Sequence, residues 1–384
     1  MFVLTLVLAV ACRHDLDLRR LYQPPVVLLA CFLLYAGASI SWAFSPGDAF
    51  PRWVLAVMIT VMVMLPATLR NTKADYLAGI FWCYAVAVFI NGIFVLTTPP
   101  MMTWENEVLG HSGYMLHKQY LGMCASIAIM ISSYLLVSGR RHILPSIVIG
   151  LSIWLIVESK SKTSLGFLVL AFIVALAATV LSSRTKWSVA AIVTAIPVSF
   201  LSASMVIHSL AERLSYRIYG DPTFTGRVFI WDFIQTQTAQ KPWFGWGFHS
   251  FWFVPFSPSL SAPGFVREMP SSHSGYLDMR LENGYFGLFI FLAALVAALY
   301  GLERVRRSDP KRALFTLSIL IYIMLMNLLE TIWFVPFDPL WIVFLVLVAA
   351  TACHSEAAFP KPSFVLQARI RHHRYPHSLV RPFA

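Results

Sequence analysis

Residues 164–183 read Ser-Leu-Gly-Phe-Leu-Val-Leu-Ala-Phe-Ile-Val-Ala-Leu-Ala-Ala-Thr-Val-Leu-Ser-Ser, twenty positions without a charge. A helix of that length spans about 30 Å, the thickness of a bilayer's hydrocarbon core, and it satisfies its own backbone hydrogen bonds there. Similar runs recur along the chain. With 58% hydrophobic and 12% charged residues and a mean hydropathy of +0.70, a soluble globular core is excluded, because no such core needs so many long uncharged segments. The expected fold class is all-α: a polytopic helical membrane protein with helices near 1–12, 26–44, 53–69, 77–97, 119–137, 143–158, 164–183, 187–207, 284–301, 313–330 and 337–353.

The connections between these eleven stretches are short, apart from 98–118 and 208–276. The chain therefore divides into helices 1–8 (1–207), a large loop with surface helices (208–276), three further helices (277–353) and a basic tail (354–384). Lys and Arg concentrate in cytoplasmic loops of membrane proteins. Assigning alternate connections to one side collects 19 of the 29 basic residues in 13–25, 70–76, 138–142, 184–186, 302–312 and the tail. Both long loops then face away from the cytoplasm and the C-terminus lies inside. The expected location is a cell membrane, with the large loop on its non-cytoplasmic face. The same alternation puts Met1 outside, although 12 residues are too few to cross as a helix. Either the true start lies upstream or the first helix inserts only in part. No basic segment precedes the first run, which disfavours a cleaved signal peptide, and Ala9-Val-Ala-Cys12 lacks the leucine of a lipoprotein box.

The net charge of +11 is largely this topological excess, ending in Arg369-Ile-Arg-His-His-Arg374. Lipid headgroups, not nucleic acid, are its expected partners. The five cysteines lie in or at the ends of predicted helices and form no disulfide framework, and no zinc-ligand spacing is present.

Ten basic residues remain on the outer side: Arg52, Lys118, Lys160, Lys162, Arg213, Arg217, Arg227, Lys241, Arg267 and Arg280. Lys160 and Lys162 sit in the short turn Glu158-Ser-Lys-Ser-Lys-Thr-Ser164. They read either as snorkelling interface residues or as cations kept at membrane depth for function; breaking the positive-inside pattern favours the second. In Asp221-Pro-Thr-Phe-Thr-Gly-Arg227, Thr225 is positioned to cap a helix whose Val228, Trp231 and Ile234 share a face. Arg227 in its first turn has the planar fork that grips phosphate, against the plainer reading of a solvated loop arginine. Lys241-Pro-Trp-Phe-Gly-Trp-Gly-Phe248 suits an interface belt and sugar stacking equally well. In Ser271-Ser-His-Ser274, His273 precedes an apolar run and is the best-placed proton acceptor, although a lone loop histidine is more often only a surface residue. Asp15-Leu-Asp17, beside Arg19 and Arg20, reads as local charge balance, not as a metal-binding pair for a nucleotide-sugar donor.

Taken in order, Ser161-Lys-Thr163 between two helices, Thr225-Gly-Arg227 then Ile230-Trp231, Pro242-x-x-Gly-x-Gly247, and His273-x-x-Tyr-Leu277 leading to Glu282-Asn283-Gly284-x-x-Gly287 resemble the O-antigen ligase and polymerase superfamily, over roughly 155–290. The resemblance implies a metal-independent inner-membrane glycosyltransferase with no cofactor. Its donor would be a glycan on undecaprenyl pyrophosphate, its acceptor another glycan, and polysaccharide export machinery a further partner. It assigns His273 as base and Arg227 and Lys162 to the pyrophosphate leaving group; many members carry arginine where Lys162 stands. Lys160, Arg217, Tyr276 and Glu282 are the expected substrate contacts. The family's usual twelve helices exceed the eleven read here by one. The moderate length of the external loop favours polymerisation of lipid-linked repeats into exopolysaccharide or O-polysaccharide over ligation to a lipid A core. A transporter of the same lipid-linked glycans would place charges mid-helix, whereas the main interior polar residues here are Asn91 and Asn327.

Overall fold

The computed structural model describes residues 2–69, 76–102, 108–115, 117–139, 142–185, 188–204, 216–217 and 226–354. Helix occupies every stretch that hydropathy marks: α1 (Phe2–Ala11), α2 (Pro24–Ser39), α3 (Pro46–Met64), α4 (Tyr76–Thr97), α5 (Lys118–Val137), α6 (Ile143–Ser159), α7 (Lys162–Arg184), α8 (Val189–Ser204), α10 (Gly275–Ser308), α11 (Pro310–Leu329) and α12 (Pro339–His354). A further helix, α9 (Arg227–Gln240), lies in the long loop, and β1 (Met101–Met102) pairs antiparallel with β2 (Val108–Gly110) in the shorter one. Among the described residues seven helices are long and apolar enough to cross a membrane, while α6 and α12 are shorter apolar helices. The basic tail, Thr225 and Arg213 lie outside the described residues.

The packing is that of a membrane bundle, with small residues inside and large ones outside. On α7, Ala171, Ala175 and Ala178 are buried while Leu165, Val169, Ile173, Leu176 and Val180 are exposed. Lipid tails are as apolar as leucine, so helices associate through close backbone approach at small residues and leave bulky side chains to the lipid. The centre is formed by α5, α10 and α11. Helix α5 packs against α4, α6 and α11; α10 packs against α2, α8 and α11; α7 closes on α11.

Helix α10 begins at Gly275, well before the expected 284. Asp278, Arg280 and Glu282 give this stretch the look of loop, yet all three are buried in its first turns. It breaks at Gly284 (φ 63°, ψ −170°). A Cβ there would lie 2.2 Å from Trp243 O, because the Pro242–Gly247 turn fills the break. Trp246 N–H and Gly247 N–H donate to Leu281 O and Glu282 O, at 3.0 and 2.8 Å. In return Tyr285 N–H and Phe286 N–H donate to Pro242 O and Trp243 O. A helix broken inside a membrane protein needs substitute partners for its freed backbone groups, and this turn supplies them. Its glycines allow the contact: at Gly245 (φ 69°) a Cβ would sit 2.4 Å from Glu282 O. The backbone of the aromatic run is thus a structural clamp, and its Trp243 and Phe244 side chains stay exposed.

The ends of the helices sort into two sets. At one end Arg304 meets Gln23 and Lys311 donates to Val137 O. At the other end residues 108–115, the 159–162 turn, the chain following α9 and the α11–α12 connection lie together.

Candidate active site

Three pieces of chain meet at this second end. The first is Ser271–Ser274. Ser272 N–H donates to both oxygens of Asp278, at 3.1 and 3.2 Å, and its carbonyl accepts from Trp231 Nε1 of α9 at 3.1 Å. Ser272 Oγ donates to Ser274 O and accepts from Ser274 N–H. His273, between the two serines, is held in the left-handed region at φ 52°. This conformation costs a non-glycine residue of order 1 kcal/mol and is found where surrounding contacts enforce it.

The second piece follows α11. Asn327 Oδ1 accepts from Ile332 N–H and Trp333 N–H, each at 3.1 Å, folding the chain back on itself. Glu330 O accepts from Gly275 N–H and Thr331 Oγ1 donates to Asp278 Oδ2 at 2.6 Å. Asp278 therefore ties the residue before His273 and the residue after Glu330 to one carboxylate. The third piece is Arg227, the first residue of α9, preceded by Gly226 (φ 85°), where a Cβ would press on the Phe265 ring at 2.9 Å.

Glu330 joins the three. Its Oε1 accepts from Arg227 Nη2 at 2.6 Å, and its Oε2 lies 3.2 Å from His273 Nδ1. The side chains of Arg227 and Glu330 are 11% and 15% exposed, and His273 is 30% exposed. A carboxylate only accepts, so Nδ1 donates, and in the neutral imidazole Nε2 is then the proton acceptor. The result is a carboxylate that orients an imidazole with one oxygen and holds a guanidinium with the other.

Beside this group lies a corner of positive charge. Lys160 ends α6 in a left-handed conformation (φ 50°) and its Nζ donates to Val108 O; Lys118 Nζ donates to Leu109 O. Lys162, exposed, begins α7 after Ser161, whose Oγ accepts from Ser164 N–H. The charges of Lys160 and Lys162 both bear on Lys118. Next to Lys118, His117 caps α5 through Nδ1. Burial pushes the His117 pKa below its ordinary value; Glu330 acts against this, while Lys118, His273 and Arg227 add to it. His117 thus lies within electrostatic range of both Lys118 and the Arg227–Glu330–His273 group. No hydrogen bond or ion pair among the described residues joins Lys162 directly to Arg227 or His273.

Of the expected substrate contacts, Tyr276 is turned away from this group. Tyr276 is fully buried and donates its hydroxyl to Met324 O at 3.2 Å; three residues beyond His273, the first helical turn directs it into the bundle. Arg217 is exposed, and none of the described contacts brings it to this group. Glu282 is buried and its Oε2 accepts from His249 N–H at 3.0 Å. Glu330, His117 and Lys118 carry no motif. Their only sequence signal is a charge at the outer end of an apolar run, which membrane helices seldom hold without a purpose.

This is a multi-pass helical membrane protein with a carboxylate-bridged Arg–His pair and a lysine corner at one end of its bundle. Residues 125–292 match the family model described as O-Antigen ligase, a span that holds Lys160, Lys162, Arg227 and His273 but not Glu330. Two curated proteins titled "Putative polysaccharide ligase" are similar. The one from Rickettsia felis is 26% identical over 162 residues, 39% of this chain and 40% of that protein. The one from Rickettsia typhi is 28% identical over 145 residues, 36% of this chain and 35% of that protein. The matched region thus spans about two fifths or less of either relative. The similarity to the O-Antigen ligase family is confined to residues 125–292, less than half of the chain.

Proposed function

We propose that the protein is a bacterial inner-membrane glycosyltransferase that moves a glycan from a polyprenyl-pyrophosphate carrier to a glycan acceptor at the outer face. The observation that carries this reading is Glu330 holding His273 and Arg227 on its two oxygens. His273 Nε2 accepts the acceptor hydroxyl's proton as that oxygen bonds to the anomeric carbon. The bond from the anomeric carbon to the pyrophosphate oxygen breaks, and the pyrophosphate leaves with the electron pair and with inversion at carbon. Arg227 stabilises the departing charge through its planar, permanently charged guanidinium. Lys162 adds positive charge from the adjoining corner, with Lys118 and Lys160 beside it.

The outward orientation is supported by the 19 basic residues assigned to the opposite side. The family description and both relatives' titles favour a ligase-type acceptor such as a lipid A core. Polymerisation of lipid-linked repeats uses the same chemistry with another lipid-linked glycan as acceptor, and the moderate length of the outer loop favours it. Polysaccharide export machinery is then a further partner.

The test is complementation of a gene deletion with wild type, His273→Ala or Arg227→Ala, followed by sizing of lipopolysaccharide and secreted polysaccharide. A ligase leaves long lipid-linked polymer and a bare core in the mutants. A polymerase leaves single lipid-linked repeats. Normal products from both mutants would refute glycan transfer by this site.

A further inference from the structure

Beside the Arg227–Glu330–His273 group lies a cavity of about 340 Å³ that this mechanism does not use. It is within the size range of ligand pockets, which starts at roughly 300 Å³. Its wall includes Ser271, which accepts from His273 N–H at 3.3 Å, and Thr331, which directly follows Glu330. The stretches of chain that carry the base and its orienting carboxylate therefore also bound this cavity.

The lining combines aromatic rings with buried polar groups that lack partners. Trp252, Trp333 and Phe334 supply rings. Trp333 and Asn283 are more than nine-tenths buried, yet Trp333 Nε1 and Asn283 Oδ1 have no hydrogen-bond partner. Leaving such groups unsatisfied costs roughly 1–3 kcal/mol each, and both belong to residues on the cavity wall. Glu282, also more than nine-tenths buried, accepts from His249 N–H with Oε2. His249 Nε2 lies 3.2 Å from Phe334 O and therefore carries the proton, so its bare Nδ1 faces Glu282 Oε2 at 3.9 Å, two acceptors with no donor between them. The wall is strained as well: His249, Phe253 and Phe334 are non-glycine residues with φ of 46°, 49° and 58°, a density of left-handed positions found at ligand sites.

Charge separates this cavity from the lysine corner. Asp278 and Glu282 are its carboxylates, and Arg52, on its wall, spends its guanidinium on His249 O, Trp252 O and Phe253 O. With aromatic rings and buried carboxyl groups on its wall, the cavity favours a ligand rich in hydroxyls with an apolar ring face. We infer that the cavity bounded by Glu282, His249, Trp252 and Trp333 is a binding subsite for an uncharged hexopyranose unit, the acceptor sugar whose hydroxyl is presented to His273. This rests on the glycan-transfer reading above. The pyrophosphate is held on the lysine side of His273 and the acceptor ring on the cavity side.

The experiment uses the full chain in lipid nanodiscs. It is titrated with the methyl glycosides of glucose, galactose and N-acetylglucosamine and, separately, with inorganic pyrophosphate, followed by tryptophan fluorescence and saturation-transfer NMR. The expected result is saturable binding of at least one glycoside, weakened about tenfold in Glu282→Gln and in Trp333→Phe and unchanged in Arg227→Ala. Pyrophosphate binding shows the reverse pattern. Trp333→Phe keeps the ring, so it carries the test if Glu282→Gln fails to fold. Absence of saturable glycoside binding, or wild-type affinity in both variants, overturns the subsite. If glycosides do not bind while His273→Ala still abolishes transfer, the subsite alone is wrong. If they bind as expected while His273→Ala transfers normally, the sugar site stands and the transfer reading falls.

Discussion

Replacing Glu330 with alanine removes two bonds at once. The Arg227–Glu330 contact is a charge-assisted hydrogen bond of 2.6 Å between side chains only 11% and 15% exposed. Deleting one partner of a fully buried ion pair costs about 3–5 kcal/mol. The residual exposure lets water reach the stranded guanidinium, so a loss of about 2 kcal/mol of stability is expected. The effect on rate is separate. An imidazole that loses its orienting carboxylate drops roughly 10⁴-fold in the best-studied serine hydrolase triads. His273 is 30% exposed, and water can replace part of the carboxylate's role, so turnover should fall about 10²-fold, or about 2.7 kcal/mol of barrier. Glu330→Gln retains an acceptor for one neighbour only and should fall between wild type and alanine. The assay is single-turnover transfer from a lipid-linked glycan by protein in nanodiscs, with thermal melting alongside. Wild-type turnover in Glu330→Ala at unchanged melting temperature would refute the bridging role.

Other expectations follow from the same geometry. Asp278→Ala leaves Trp252 Nε1, Ser272 N–H and Thr331 Oγ1 without their acceptor and should cost about 3 kcal/mol, read as a lower melting temperature together with slower transfer. Gly284→Ala forces a Cβ to 2.2 Å from Trp243 O at a positive φ, so the folded yield in size-exclusion profiles should collapse, whereas Gly79→Ala, with open space around it, should be neutral. His249, its pKa lowered to about 4 by burial and by Arg52, stays neutral in the fold. An unfolded histidine titrates near 6.5, so its contribution is complete above that pH and is lost as pH falls from there through about 4, by about 3 kcal/mol. His249→Gln should flatten that part of a melting-temperature profile.

The helices were legible because hydropathy over twenty residues is a strong signal, and all eleven stretches are helical. The start of α10 was hidden by Asp278, Arg280 and Glu282, whose charge resembles loop until Trp252, Ser272 and Thr331 are seen to satisfy Asp278. His273 and Arg227 stood out through their local motifs. Glu330 did not, since its partners are 57 and 103 residues away in sequence and only the return of α11 beside α10 brings them together. Tyr276 misled for the opposite reason: proximity to His273 in sequence places it on the inward side of the first helical turn.

The central claim is that His273, held by Glu330 beside Arg227, deprotonates the acceptor while the cations release pyrophosphate. The most direct test follows single-turnover formation of free polyprenyl pyrophosphate from a lipid-linked glycan donor and acceptor with purified wild type and His273→Ala. The account predicts that the variant binds donor normally, since Arg227 and the lysines remain, but releases polyprenyl pyrophosphate at least about 10²-fold more slowly. Release at the wild-type rate by His273→Ala would contradict it.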